Sequence, residues 1–502
     1  MASEDKITAF HAYMKKITDF NSAIALLDWD ARTKMPKKGV AGRSEALGTL
    51  SSTVFQLQIA PEMRAFLEEL EPVAERLDQK TRRMLEISRK FYDLNEKIPA
   101  ARFQEFVVLR SQAEAVWQEA RGQSDFAMFS PYLERIVAMT REFIGYWGYK
   151  EHPYNTLLDM YEEGLTVNVL DPLFAKVRGQ TLALLEKIKA APQPDKSFLE
   201  RRFDPDKQRQ FSEFILTQMG YDFDAGRLDE TAHPFATGIA PGDVRVTTRY
   251  LPNFFNSALF GSIHEGGHAL YEQNISDNLA GTPLHTGVSM SIHESQSRFW
   301  ENIIGRSREF WQRYYSELKQ RFPSELGDVD ADQFYKAVNA VEPSFIRVEA
   351  DEVTYNLHIM LRYELEKALI TEDLKVADLP GAWNEKMQDY LGITPPDDRD
   401  GVLQDVHWSD ASFGYFPSYS LGNIYGAQIA RAMEKALPDY RDQVAKGEFT
   451  GIRNWLKTHI HQHGSLYKPA EILRRATGES VDTSAIFSYF DKKFGPIYGF
   501  SQ

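Results

Sequence analysis

Two histidines, His264 and His268, stand four residues apart and enclose Glu265-Gly266-Gly267. On a helix both imidazoles project from one face, about one turn apart, so their nitrogens can reach a single ion at roughly 2.0–2.1 Å each. Glu265 adjoins the first histidine, where its carboxylate can bond a metal-held water instead of the metal. Zinc lowers the pKa of such a water towards about 7, and the carboxylate takes its proton during attack on a carbonyl. The chemistry on offer is metal-assisted hydrolysis. A bare HExxH pattern also arises in helices whose histidines face solvent or core, so the rest of the chain must supply a third ligand and leave a coordination position open.

Glu294, in His293-Glu294-Ser295-Gln296, is the candidate third ligand, at the start of a helical run from Ser295 to Ile304. Asp277, Asn278, Gly281, Pro283 and Gly287 mark the intervening stretch as a loop. Two helices joined in this way can set Glu294 against His264 and His268. His293 is the competing ligand. Glu294 is preferred because two imidazoles and one carboxylate leave a more Lewis-acidic metal than three carboxylates would. Such a set accepts Zn2+, and also Co2+ or Mn2+. Glycine costs about 1 kcal/mol relative to alanine inside a helix. The two glycines of the motif therefore suggest that another backbone approaches closely there.

The elements that must position these groups read mostly as helices. Apolar residues recur at three- and four-residue spacing through Ile7 to Leu27, Met63 to Phe91, Leu170 to Ile188 and Phe254 to Tyr271. Val353, Leu357, Leu361 and Leu365 form a further stripe. Breaks fall at Met35 to Gly39, Ala191 to Asp195 and Thr394 to Asp398, with no low-complexity linker and no repeat. The organisation expected is a single mainly α unit over residues 1–502, divided at most by a cleft into two lobes. Asp243 to Tyr250 is the best strand candidate, alternating in character and rich in β-branched residues. It is expected to serve as an edge strand that pairs with an extended peptide.

Composition narrows the function. A net charge of −14 gives no basic footprint for nucleic acid. The absence of cysteine excludes disulfides, thiolate-ligated zinc, iron–sulfur clusters and a thiol nucleophile. No apolar run is long enough to cross a bilayer, and the charged start Met1-Ala2-Ser3-Glu4-Asp5-Lys6 is no export signal. A cytoplasmic protein is therefore expected. Neither a phosphate-binding glycine-rich loop nor a GxSxG elbow is present.

At this point the sequence resembles the thermostable carboxypeptidase Taq-like metallocarboxypeptidases. Besides the HExxH helix it carries Asp243-Val244-Arg245-Val246-Thr247, similar to DxRxT, and Ile346-Arg347-Val348-Glu349-Ala350-Asp351, similar to IRxxAD. Gly401 to Trp408 matches GxxQDxHW, and Leu27-Asp28-Trp29-Asp30 followed by Met35-Pro36 also looks like the family. The resemblance implies a two-lobed helical body with a deep active-site groove and a very small β-sheet, like neurolysin and angiotensin-converting enzyme. It also implies removal of single residues from peptide C-termini with broad specificity, and a homodimer.

An exopeptidase must read a free α-carboxylate, which the planar arginine fork suits. Arg245 and Arg347 lie inside matched motifs and are the candidates; the bland alternative for each is an ion pair with nearby acids. For the developing oxyanion, His407, Tyr415 and Tyr419 are candidate donors by analogy with the family's distant relatives, Tyr415 fitting slightly better than Tyr419. Gln404 and Asp405 are expected to orient His407, and Trp408 to pack. Two other functions remain open. One is an oligopeptidase or dipeptidyl carboxypeptidase on the same metal site; the other is a non-catalytic helical peptide-binding scaffold, which would have no use for Glu265.

Overall fold

Val244 and Val246 alternate on the strand predicted before the HExxH helix, and both are buried. The strand forms as Asp243–Thr248 (β3), two residues shorter than expected. It pairs in parallel with Leu228–Glu230 (β1) and antiparallel with Ala236–Ala240 (β2), which carries an irregularity between Gly238 and Ala240. The order β1-β3-β2 makes β3 the central strand, not the expected edge. β1 pairs with it over Val246–Thr248 and β2 over Asp243–Val246, and the Tyr221 hydroxyl donates to Val244 O, so β3 is not a free edge for an extended peptide; β1 and β2 are the edge strands. The sequence around β1 is too short and polar to have announced itself as a partner.

The structure, a computed structural model, describes residues 4–500. It divides into two compact units. The first gathers the chain through Asn95, Pro194–Val338 and Tyr425–Val481, and holds the small sheet; the second gathers Glu96–Gln193, Asn339–Ile424 and the chain from Asp482 onward. Both are helical apart from that sheet. In the first, the N-terminal helix Glu4–Thr33 is followed by the expected break. The apolar run from Met63 to Phe91 is two helices, Pro61–Leu70 and Gln79–Glu96, separated by a 3₁₀ segment that begins at Glu71-Pro72. Proline fits a first turn but not a helix interior. In the second unit, the stripe Val353, Leu357, Leu361 and Leu365 is buried on or just before the Tyr355–Ile370 helix. No helix among the described residues is long and apolar enough to cross a membrane.

The Phe255–Gln273 helix is apolar on more than one side, with Leu259, Phe260, Ile263 and Leu270 all buried. A helix of that kind belongs inside its unit. Its glycines show how tightly it is enclosed. A Cβ at Gly266 would stand 2.5 Å from Leu216 Cδ2 of the Pro205–Met219 helix. A Cβ at Gly267 would stand 2.7 Å from both Gln296 O and Ser297 Cα, which are backbone atoms of the Met290–Arg298 helix. The close backbone approach expected from the sequence therefore occurs at Gly267.

Gly267→Ala distinguishes propensity from contact. Helix propensity alone would stabilise the protein by about 1 kcal/mol, whereas forcing the helices apart costs typically 1–3 kcal/mol. Thermal unfolding should show net destabilisation, and an unchanged or raised Tm would contradict the close crossing.

Candidate metal centre

The crossing brings the chemistry together. His264 and His268 project from the Phe255–Gln273 helix, and Glu294 from the second turn of the Met290–Arg298 helix, which Ser289 caps by accepting from the Ile292 N–H. Glu294 Oε2 lies 3.5 Å from His264 Nε2 and 3.4 Å from His268 Nε2. Ligand atoms bonded to one ion at 2.0–2.1 Å in tetrahedral directions stand about 3.3–3.4 Å apart. The three side chains are thus spaced for a single ion, and they are the one such group of His, Asp or Glu found among the described residues.

Metal ligands must be deprotonated, and the surroundings favour that form for His268 and Glu294 but oppose it for His264. Burial pushes the His268 imidazole down to about 3, so it is neutral. Burial alone would raise Glu294, but the Arg298 guanidinium and the His264 ring hold it well below the usual carboxylate range. His264 also feels burial, which lowers it, but Glu294 and the hydrogen bond to Glu301 carry it above its ordinary value. Beside the ligands, the carboxyl of Glu265 is 8% exposed and burial pushes it up to about 7. A carboxylate so poised is a better proton acceptor near neutrality than an ordinary glutamate.

Sequence reasoning missed the groups that hold the ligands. Arg298 Nε donates to Glu294 Oε1 at 2.7 Å, occupying that oxygen and leaving Oε2 towards the imidazoles. His264 Nδ1 lies 2.9 Å from Glu301 Oε2. Glu301 is itself held by Arg298 Nη1 at 3.3 Å and Arg306 Nη2 at 3.1 Å. Glu301 stands on a π-helical stretch, Phe299–Gly305, not on the regular helix expected through Ile304. Arg298 could have been found by its i, i+4 spacing from Glu294; the π-turn that aims Glu301 leaves no such trace. His293, the competing ligand, faces away from the three converging atoms: its Nδ1 lies 2.6 Å from His268 Nδ1.

Arg245 in β3 gives Nε and Nη2 to Asp243 Oδ1 and Oδ2, both at 2.8 Å, and its guanidinium lies 4.2 Å from the centre of the Trp29 ring. The DxRxT and LDWD segments therefore pack on each other.

In the second unit the remaining candidates form their own cluster. Arg347, 5% exposed, donates to Asp405 Oδ1 from Nη2 at 2.7 Å and to the Tyr355 hydroxyl at 3.0 Å. Arg362 Nε holds the other Asp405 oxygen at 2.6 Å. His407 Nε2 lies 3.1 Å from the Tyr419 hydroxyl, and the Tyr415 ring centre is 5.4 Å from that of His407. Burial pushes His407 down to about 4, so the ring is neutral. Gln404 and Asp405 do not orient it. Gln404 accepts from the Arg347 N–H at 2.9 Å and donates to Phe345 O, while the nearest Asp405 oxygen is 4.0 Å from His407 Nδ1, too far for a hydrogen bond. The two arginines claim the carboxylate. Trp408 is buried and donates to Glu366 Oε1 at 2.8 Å.

Two histidines one turn apart, a glutamate from a crossing helix and a buried second carboxylate are what a metal-dependent peptidase requires. Residues 9–494 match the family model described as carboxypeptidase Taq (M32) metallopeptidase, and the chain belongs to that family. It is 47% identical to carboxypeptidase 1 of Bacillus subtilis over 490 residues, covering 97% of this chain and 98% of the relative. Identity to thermostable carboxypeptidase 1 of Thermus thermophilus is 43%, with 95% of each chain covered. A crystal structure of an M32 carboxypeptidase from Deinococcus radiodurans superposes with a TM-score of 0.95 at 35% identity, over 99% of this chain and 100% of that one. The family implies a divalent metal and a peptide substrate.

The raised Glu265 carboxyl has a kinetic signature. A base acts when ionised and is lost when protonated, so kcat/KM should fall on the acid side. The controlling pKa should lie between the ordinary glutamate value of about 4.3 and about 7. A profile that stays flat down to pH 4.3 would contradict this assignment.

Proposed function

We propose that the chain is a zinc carboxypeptidase that removes single residues from peptide C-termini with broad specificity. The observation that carries this reading is the convergence of His264, His268 and Glu294, whose Oε2 stands 3.5 and 3.4 Å from the two imidazole nitrogens, with Glu265 buried beside them, in a chain of this family. When bound, the metal supplies Lewis acidity to the scissile carbonyl and lowers the pKa of a water towards about 7. Glu265 takes the proton from the attacking water and passes it to the leaving amine. His407, Tyr415 and Tyr419 are the candidate donors to the oxyanion, a task worth about 10²–10³ in rate for each donor. The hydrogen bond between His407 and Tyr419 favours Tyr419 as the tyrosine that works with the histidine.

One of Arg245 and Arg347 reads the substrate α-carboxylate. Each already serves an acid of its own, but an arginine has five N–H donors, and Arg245 gives only two to Asp243. We read residues 1–502 as one catalytic domain, in line with a family match that runs from 9 to 494. A cytoplasmic homodimer completes the reading, supported by the absence of cysteine for the compartment and by family resemblance for the dimer.

Glu265→Gln should retain bound metal in elemental analysis while kcat falls by about 10²–10⁴; a variant with most of its turnover would remove Glu265 from the mechanism. Arg245→Lys and Arg347→Lys separate the two arginines. The one that reads the substrate should raise KM for a free peptide at least tenfold and abolish the preference over the same peptide with a C-terminal amide. If neither change alters that preference, the α-carboxylate is recognised by another group.

A further inference from the structure

His264 and His268 face the same carboxylate but are supported from behind in different ways. His264 Nδ1 meets a carboxylate, Glu301, directly at 2.9 Å. His268 Nδ1 meets another imidazole, His293 Nδ1, at 2.6 Å, and His293 Nε2 lies 2.9 Å from Glu272 Oε1. Glu272 Oε1 also accepts the Gly287 N–H at 2.9 Å.

The proton positions in this chain follow from one condition. If His268 offers Nε2 to a metal, its Nδ1 must carry the hydrogen and donate it. His293 Nδ1 must then present a lone pair, which places the only hydrogen of a neutral His293 ring on Nε2, where it donates to Glu272. Each link fixes the next, and the sequence ends on a carboxylate that is 10% exposed at its side chain. Carboxylate–histidine pairs behind a metal ligand fix its tautomer and raise its basicity. Here a second imidazole stands between the two.

The surroundings hold that imidazole in place. A Cβ at Gly287 would stand 2.5 Å from His293 Cδ2 and 3.0 Å from Tyr271 Cε1, so the loop backbone lies directly against the ring. The Tyr271 ring packs on His293 from the metal helix, with centres 5.1 Å apart.

We propose that His293 and Glu272 are positioning residues for metal binding, His293 serving as the obligatory hydrogen-bond acceptor for His268 and Glu272 fixing the His293 tautomer. This rests on the reading of His264, His268 and Glu294 as the metal site.

The test compares zinc affinity, by competition with a chromophoric chelator, and the visible spectrum of the Co2+ form. Wild type, His264→Ala, His293→Leu, His293→Asn and Glu272→Gln are measured side by side, with the Tm of each apoprotein. Asparagine can place an acceptor oxygen near the position of Nδ1; leucine fills the space without one. Zinc affinity should fall about 10–100-fold in His293→Leu and stay within about threefold of wild type in His293→Asn. Glu272→Gln should fall between them, with a changed Co2+ spectrum. A packing role would instead lower the Tm of His293→Leu and leave zinc affinity intact, which overturns the proposal, as do equal losses in the leucine and asparagine variants. If His293→Leu fails to fold, Glu272→Gln decides: wild-type affinity and spectrum overturn the relay. If wild type and His264→Ala bind zinc equally, the metal site itself is misassigned.

Discussion

The centre depends on how closely the Phe255–Gln273 helix can approach the Met290–Arg298 helix. Gly267 sets that distance, because its Cα hydrogen faces the Gln296 carbonyl and the Ser297 Cα with no room for a methyl group. Ligand spacing leaves little tolerance: oxygen and nitrogen must stand about 3.3–3.4 Å apart to share one tetrahedral ion, and the two contacts across the crossing are 3.4 and 3.5 Å. A glycine that weakens its own helix stands where it lets a second backbone bring Glu294 against His264 and His268. Local propensity yields to a functional contact, as expected at a site and not in a core.

Around that crossing, each of the three converging side chains is held in a fixed orientation by a neighbour. Arg298 bonds both Glu294 and Glu301, tying a ligand to the group that supports another ligand. The π-turn at Phe299–Gly305 lets Glu301 reach His264 while Arg298 keeps its regular i, i+4 relation to Glu294. Buried carboxylates of this kind are costly unless paired, and here Glu294 and Glu301 are paired with arginines, while Glu272 accepts hydrogen bonds from His293 and the Gly287 N–H. Of the four carboxylates at the crossing, Glu265 is the one whose pKa burial carries above the ordinary value. That contrast separates the carboxylates that hold the site from the one suited to move a proton.

The convergence of His264, His268 and Glu294 was legible in the sequence because the spacing is local: His264, Glu265 and His268 share one helix turn, and Glu294 follows after a readable loop. The helical class and the β3 strand were legible for the same reason. What depends on non-local pairing was not. The central place of β3 in its sheet follows from pairing with two short segments, Leu228–Glu230 and Ala236–Ala240, that carry little alternation of their own. Asp243 as partner of Arg245 could be suspected at a separation of two residues, but Asp405 lies 58 residues from Arg347. At that distance the pairing is invisible in the sequence, where His407 is the obvious near neighbour of Asp405. Glu301 and the His268 to His293 contact needed the π-turn and the helix crossing, neither of which has a sequence signature.

If a metal held by His264, His268 and Glu294 cuts peptides from the C-terminal end, a time course of one defined peptide with the purified protein will show it. The products are read by mass spectrometry with chelator, without it, and after zinc is restored. The expected result is a ladder of products each shorter by one C-terminal residue, abolished by chelator and regained with zinc. Cleavage that persists when the metal has been removed would contradict the metal centre, and release of dipeptides or internal cutting would contradict the carboxypeptidase.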